Sequence, residues 1–309
     1  MAVLSEFVET FGQHLLAHFG ERVHKVAIDA GFTCPNRDGL RGRGGCTFCN
    51  NKSFHPDTPT QSIGDQVRAG MACVVRRTRA RKVIAYFQTY TNTYAPVESL
   101  RASYDEALAV PGVVGLSIGT RPDCLSEPIV ALLASYRARG LAVWVELGLQ
   151  SSFDETLARV NRGHGFSEYC AAIALLRSYE LPVCTHLIVG LPGEERIHAL
   201  QTLARVLALG VEGLKIHPLH IVRGSRLAHD FRAGLCDPLS LPSYVGTVVD
   251  LIERTPRHVL FHRLTGTAKA ALLLAPEWCS GKWRVLNAIT AELARRGTCQ
   301  GIFAQEALA

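Results

Sequence analysis

Short runs of apolar and β-branched residues alternate along this chain with longer segments whose apolar positions recur every three or four residues. The short runs predict strands at 23–29, 82–88, 113–119, 141–149, 181–190, 213–218 and 259–263. The longer segments predict helices at 62–79, 96–110, 127–139, 167–179, 194–209 and 239–253. The first of these opens on Ser62 with Asp65 three residues later, a start that resembles a capping box. Strand, loop and helix thus repeat about six times, which is the order of βαβ units with parallel strands.

An open doubly wound sheet and a partial (β/α)6 barrel share this pattern. The barrel is favoured by where the polar residues fall. Cys34, Gln88, Thr120, Glu146 with Gln150, His186, His217 and Arg263 stand at or just past the C-terminal ends of the strands, the rim on which barrels carry chemistry. The expected organisation is an N-terminal helix at 1–20, the barrel at 21–270 and a C-terminal helical extension at 271–309 with an amphipathic helix near 284–296.

Composition narrows the class. With 309 residues, 48% hydrophobic and 19% charged, the chain can bury a large core, which excludes a disordered or fibrous protein. No run of apolar residues is long enough for a membrane span, and the N-terminus lacks the basic start and apolar stretch of a signal peptide, so a cytoplasmic protein is expected. In that setting ten cysteines imply metal binding and core packing rather than disulfides. A net charge of +6 leans toward an anionic substrate.

The cysteines that matter follow the first strand. Cys34, Cys46 and Cys49 form a C-x11-C-x2-C pattern in a loop with glycines at 39, 42, 44 and 45, which let a chain curl closely around an object. Three soft thiolates select zinc, copper(I) or an iron–sulfur cluster. Zinc could complete a Cys3His site with His55; a four-iron cluster would instead keep one iron open for a small molecule.

The Cys46-Thr-Phe48-Cys49 step after the first strand resembles the cluster loop of the radical S-adenosylmethionine (radical SAM) superfamily. The long first gap departs from the commonest C-x3-C-x2-C spacing and is similar to the YhcC/YtqA-like group, whose domain is related to the Elp3 (elongator) family. The resemblance runs through DAGFTCPNRDG (29–39), AYFQTYTNTY (85–94), SIGTRPDC (117–124), ELGLQS (146–151), NRGH (161–164), HLIVGLPGE (186–194), KIHPLH (215–220) and HRLTG (262–266).

The resemblance implies a radical SAM enzyme with a partial (β/α)6-type TIM barrel. Cys34, Cys46 and Cys49 would bind three irons of a [4Fe–4S] cluster, with S-adenosylmethionine (SAM) on the fourth. A one-electron donor such as flavodoxin or ferredoxin would reduce the cluster, cleaving SAM to methionine and a 5′-deoxyadenosyl radical that takes hydrogen from the substrate. Phe48 would sit by the adenine, Gln88 and Thr89 near the SAM amino group, and Glu146 and Gln150 near its ribose and methionine portions. Arg162 and His164 would hold the SAM carboxylate or cap the next helix, and the turn at Gly190 would offer backbone amides to the adenine or methionine end.

The Elp3 relationship suggests an RNA base as substrate, a tRNA wobble uridine first, although 309 residues leave no room for an acetyltransferase domain. A small anionic metabolite or peptide is the alternative, with Arg121, Lys215, Arg223 and Arg263 as candidate anion contacts and His186, His217, His220 and His262 as candidate pocket walls. A zinc-stapled RNA-binding protein is the third. The basic stretch 76–82 reads as a solvated helix end or a phosphate-backbone contact. Cys73, Cys170, Cys184 and Cys236 read as core, whereas Cys124, Cys279 and Cys299 are candidates to meet in space.

Overall fold

The computed structural model describes residues 3–50 and 61–304. In chain order the elements are α1 (Phe11–Phe19), β1 (Val23–Ile28), α2 (Pro35–Asp38), α3 (Ile63–Thr78), β2 (Lys82–Phe87), α4 (Val97–Leu108), β3 (Val113–Thr120), α5 (Glu127–Ala138) and β4 (Ala142–Gln150). Then come α6 (Asp154–Arg159), α7 (Phe166–Ser178), β5 (Val183–Val189), α8 (Arg196–Leu207), β6 (Gly213–Pro218), β7 (Ile221–Val222), α9 (Arg226–Arg232), α10 (Leu241–Arg254), β8 (Leu260–Arg263), β9 (Leu273–Ala275) and α11 (Lys282–Arg296). Seven strands form one parallel sheet in the order β1-β2-β3-β4-β5-β6-β8.

All seven expected strands are present, their bounds differing by at most two residues from the sequence reading. The helix expected at 62–79 runs from cap to cap: the Ser62 hydroxyl accepts from the Asp65 amide at 3.1 Å, and Arg79 ends the helix in the left-handed region. The N-terminus differs from the single helix expected over 1–20. A short 3-10 turn at Leu4–Glu6 stops, and α1 starts afresh because Thr10 and Gln13 form their own capping box.

The sheet curls, since side chains from distant strands meet inside it. Glu146 on β4 reaches Lys25 on β1 and Lys215 on β6. Between the edge strands β1 and β8 the seam is bridged by α1. The Phe261 amide donates to the Glu9 carbonyl at 2.9 Å, and the Phe11 ring stacks on His262 with centroids 3.8 Å apart. Outside the sheet, an apolar layer between strands and helices holds the main core, in which Tyr104, Tyr136, Tyr169 and Tyr244 are buried yet each hydroxyl finds a partner. The tail packs on α10, where Arg296 reaches the buried carboxylates of Asp250 at 2.8 Å and Glu253 at 3.1 Å.

Of the cysteines read as core, Cys184 is buried, while Cys73, Cys170 and Cys236 are half-buried. Cys279 is buried in the core with Tyr244, and Cys124 stands near Cys34, so these two do not gather into a second site.

Candidate active site

The loop after β1 is shaped by its contacts with the turn that follows α6. Asn36, fully buried, donates to the Asn161 carbonyl at 2.6 Å and lies 3.6 Å from the Cys46 sulfur. The Thr47 amide donates to the Val160 carbonyl at 3.0 Å, and the Asn161 side chain donates to the Gly45 carbonyl at 2.8 Å. Gly163 is required here: its φ is +75°, and a Cβ would stand 2.7 Å from Asn36 Oδ1. The NRGH string thus clamps the cysteine loop from outside.

Arg162 completes that clamp. One guanidinium nitrogen lies 3.5 Å from Cys46 Sγ and another donates to the Gly148 carbonyl at 2.5 Å, an approach open only because residue 148 has no side chain. Its Nε has no partner among the described residues. A cation against a sulfur ligand stabilises the thiolate form.

Cys34, Cys46 and Cys49 face one cavity of about 180 Å³ at the C-terminal ends of the strands. Phe48, Gln88, Glu146, Gln150 and Arg162 line the same cavity, so eight of the expected site residues come together. Thr89, His164 and Gly190 do not line it. Thr89 is buried with its hydroxyl unpartnered among the described residues. A Cβ on Gly190 would meet Leu239 at 2.8 Å, so this turn is pressed against a neighbour. His164 sits behind Arg162, its Nδ1 3.1 Å from the Gly165 carbonyl, and burial together with Arg162 pushes its pKa down to about 3. The expected rim residues Thr120 and His186 line the cavity too, as do Arg37, Tyr86, Tyr90 and Thr91, which were not singled out as site residues.

Burial, then the neighbouring Cys46, pushes the Cys49 thiol up to about 12. Such thiols give up their protons when a metal takes the lone pair in exchange. Among the described residues no three His, Cys, Asp or Glu side chains are grouped tightly enough for a single ion. Three thiols spaced around a shared cavity suit a cluster instead, in which each thiolate meets a different iron. His55, the fourth ligand of the zinc alternative, lies outside the described residues.

Below the thiols, Glu146 organises the barrel interior. The residue is fully buried, and its carboxylate accepts from four groups: the Lys25 and Lys215 ammoniums, the Ser117 hydroxyl at 2.6 Å and His186 Nε2 at 2.8 Å. Lys215 also reaches the Tyr86 hydroxyl at 3.1 Å. Lys215 and Lys25 overcome the desolvation cost and hold the Glu146 carboxyl well below its ordinary value. Burial lowers Lys215 to about 8 and His186 to about 4. The four acceptor positions of a carboxylate are therefore all in use by the protein.

Arg121, a candidate for a substrate anion, also lines the cysteine cavity, but it is only 2% exposed, is bound bidentately by Asp123 at 2.8 and 2.9 Å, and donates to the Arg162 carbonyl at 2.8 Å. Its geometry fastens the mouth of β3 to the clamp. The basic stretch 76–82 lies between the C-terminal end of α3 and the start of β2, the end of the barrel opposite the thiols. There Arg79 caps the helix and Lys82 pairs with Glu21 at 2.9 Å.

Comparison with known proteins bears on the same residues. Protein YhcC of Escherichia coli (strain K12) is 47% identical over 281 residues, covering 91% of this chain and 90% of that one. The tRNA uridine(34) acetyltransferase of Dehalococcoides mccartyi (strain CBDB1) is 30% identical over 166 residues, 52% of this chain and 35% of that one. Among solved structures, the Elp3 of the archaeon Methanocaldococcus infernus with an N-terminal deletion aligns over 90% of this chain and 64% of that chain, with a TM-score of 0.67 and 19% identity, a likeness of fold. The Radical SAM C-terminal domain model matches residues 211–295. The Radical SAM superfamily model matches residues 34–206, starting at the first thiol of the cavity and taking in the clamp and Glu146, and the chain belongs to that superfamily.

Proposed function

We propose that this chain is a radical SAM enzyme whose cluster is held by Cys34, Cys46 and Cys49, and that it acts on an RNA base, a tRNA wobble uridine being the first candidate. The observation that carries the reading is the single cavity shared by those three thiols with Phe48, Gln88, Gln150 and Arg162. A [4Fe–4S] cluster held there by Cys34, Cys46 and Cys49 would, when reduced, supply the electron for cleaving SAM into methionine and a hydrogen-abstracting radical.

The chain's own residues do the rest. Arg162 and Asn36 direct N–H groups at the Cys46 sulfur, which favours the more negative, reduced state of whatever that sulfur binds. Phe48 packs against the apolar cluster of Val160, Leu191 and Leu219, a wall that keeps water from one side of the cavity. The Nε of Arg162 and the Gln150 amide provide polar groups for the charged methionine end of SAM. Glu146 fixes Lys25, Lys215 and His186 under the cavity, a positioning role rather than a contact with ribose.

The RNA reading rests on the tRNA-directed relative, which shares about half of this chain. It is tested with anaerobically purified protein. We expect about four iron and four sulfide per chain, and 5′-deoxyadenosine on adding dithionite and SAM. About one zinc, with no deoxyadenosine from fully metallated protein, would refute the enzyme reading. Salt-sensitive tRNA binding would favour RNA over a small metabolite or peptide. Cys46→Ala is expected to lose cluster and SAM cleavage together.

A further inference from the structure

A second cavity, of about 480 Å³, opens in the seam between β1 and β8, under α1 and α11. Tyr86 and Gln88 line both it and the cysteine cavity, so the two spaces share a wall. Its charge is one-sided. Lys25, Lys215, Arg263 and Lys282 line it, and no Asp or Glu does.

Among the described residues Glu146 is the one carboxylate that answers any of these cations, and it already serves both Lys25 and Lys215. Arg263 and Lys282 form no ion pair among the described residues, and they are close enough that Arg263, after burial, helps hold Lys282 below its ordinary value. Thr265, 3% exposed, also lines the cavity with a hydroxyl that has no partner among the described residues. Gathering like charges in a half-enclosed space costs free energy that an anion would recover, and an unpaired buried hydroxyl adds a donor for it. The surplus is one that the fold does not need: the Glu146 network would be balanced with a single lysine.

We propose that the seam cavity is a subsite for an oxyanion of the substrate, a carboxylate or a phosphate, held by Arg263, Lys282, Thr265 and the outer faces of Lys25 and Lys215. The rest of the substrate then extends over the Tyr86 and Gln88 side of the seam cavity, which adjoins the cysteine cavity. This inference rests on the radical SAM reading for the meaning of that direction, whereas the anion site itself does not.

The test uses the anaerobically reconstituted protein, titrated with inorganic phosphate and separately with malonate at constant ionic strength against chloride. Trp144 lies 4.6 Å from the His262 ring at the cavity wall, so its fluorescence and calorimetry give two readouts. Saturable binding of at least one anion is expected, weakened about tenfold or more in Arg263→Gln, a loss of about 1.4 kcal/mol, and also weakened in the near-isosteric Thr265→Val. Melting temperatures of both variants report that they fold. Tighter phosphate than malonate assigns a phosphate-bearing substrate; the reverse assigns a carboxylate. Anions that bind no better than chloride, or equally well to folded Arg263→Gln, overturn the subsite. Wild-type protein that forms deoxyadenosine without binding either anion refutes the subsite alone, and anion binding without deoxyadenosine refutes the radical reading alone.

Discussion

A buried carboxylate between one buried and one half-buried ammonium makes the interior of this barrel sensitive to single side chains. Glu146→Gln would leave Lys25 and Lys215 without a counter-charge, and breaking such a pair costs about 3 to 5 kcal/mol. Chemical denaturation should show a loss of that size, with a smaller one for Lys215→Met, which leaves Lys25 and His186 on the carboxylate. A Glu146→Gln protein as stable as the wild type would contradict the hub. Glu146 was visible in the sequence as a polar residue on an apolar strand, but its partners were not. Lys25 and Lys215 lie 121 and 69 residues away, and period-two alternation shows that a side chain points inward without showing what it meets across the curl. That Cys34, Cys46 and Cys49 face one cavity was legible because their close spacing in a single glycine-rich loop is visible in the sequence itself. Arg162 was legible as a site residue but not as a donor to sulfur; replacing it with Gln should lower the midpoint potential of the reconstituted cluster, measured by redox titration.

At the level of elements, the seven sheet strands and the six helices between them were readable to within two residues, because each parallel strand is covered on its outer face and each helix has one apolar side, whereas the short α2, α6, α9, β7 and β9 were not read. What could not be read was the clamp between the cysteine loop and the turn after α6, since Asn36 and Asn161 stand 125 residues apart in two separate strings and nothing local pairs them. The clamp has a sharp test in Gly163→Ala. The left-handed φ of +75° costs a non-glycine residue about 1 to 2 kcal/mol, and the added Cβ must displace Asn36. The variant should fold, melt a few degrees lower and bind less iron per chain, whereas Gly246→Ala, with open space at its Cβ position, should keep its iron. Full iron in Gly163→Ala would separate the clamp from the cluster site. The basic stretch belongs at this scale too. Because it lies at the far end of the barrel, replacing Arg76 and Arg77 by Ala should leave tRNA affinity within about twofold, and a larger loss in a filter-binding assay would move the RNA surface there.

For the molecule as a whole, the buried histidines set the response to acid. His164 is held down to about 3 and His186 to about 4, in both cases first by burial. In the unfolded chain each takes a proton near pH 6.5, while the folded protein keeps it neutral, so the unfolded state binds more protons below that value. Their stabilisation is therefore complete above about pH 6.5 and is lost as pH falls toward the folded values, at up to about 1.4 kcal/mol per pH unit for each histidine. Glu146 adds to this with the same sign at lower pH, because its depressed carboxyl favours the folded state only while it is ionised. Together the two histidines should remove roughly 3 kcal/mol of unfolding free energy between pH 6.5 and 5, before the carboxylates begin to titrate. Urea midpoints measured across that range should fall steadily, and His186→Gln should flatten part of the slope, the rest being shared with His164, His217 and His262, which are also held below their ordinary values. A constant midpoint from pH 6.5 to 5 would mean that the imidazoles gain protons without opening the fold, and that water reaches the floor of the barrel in the native state.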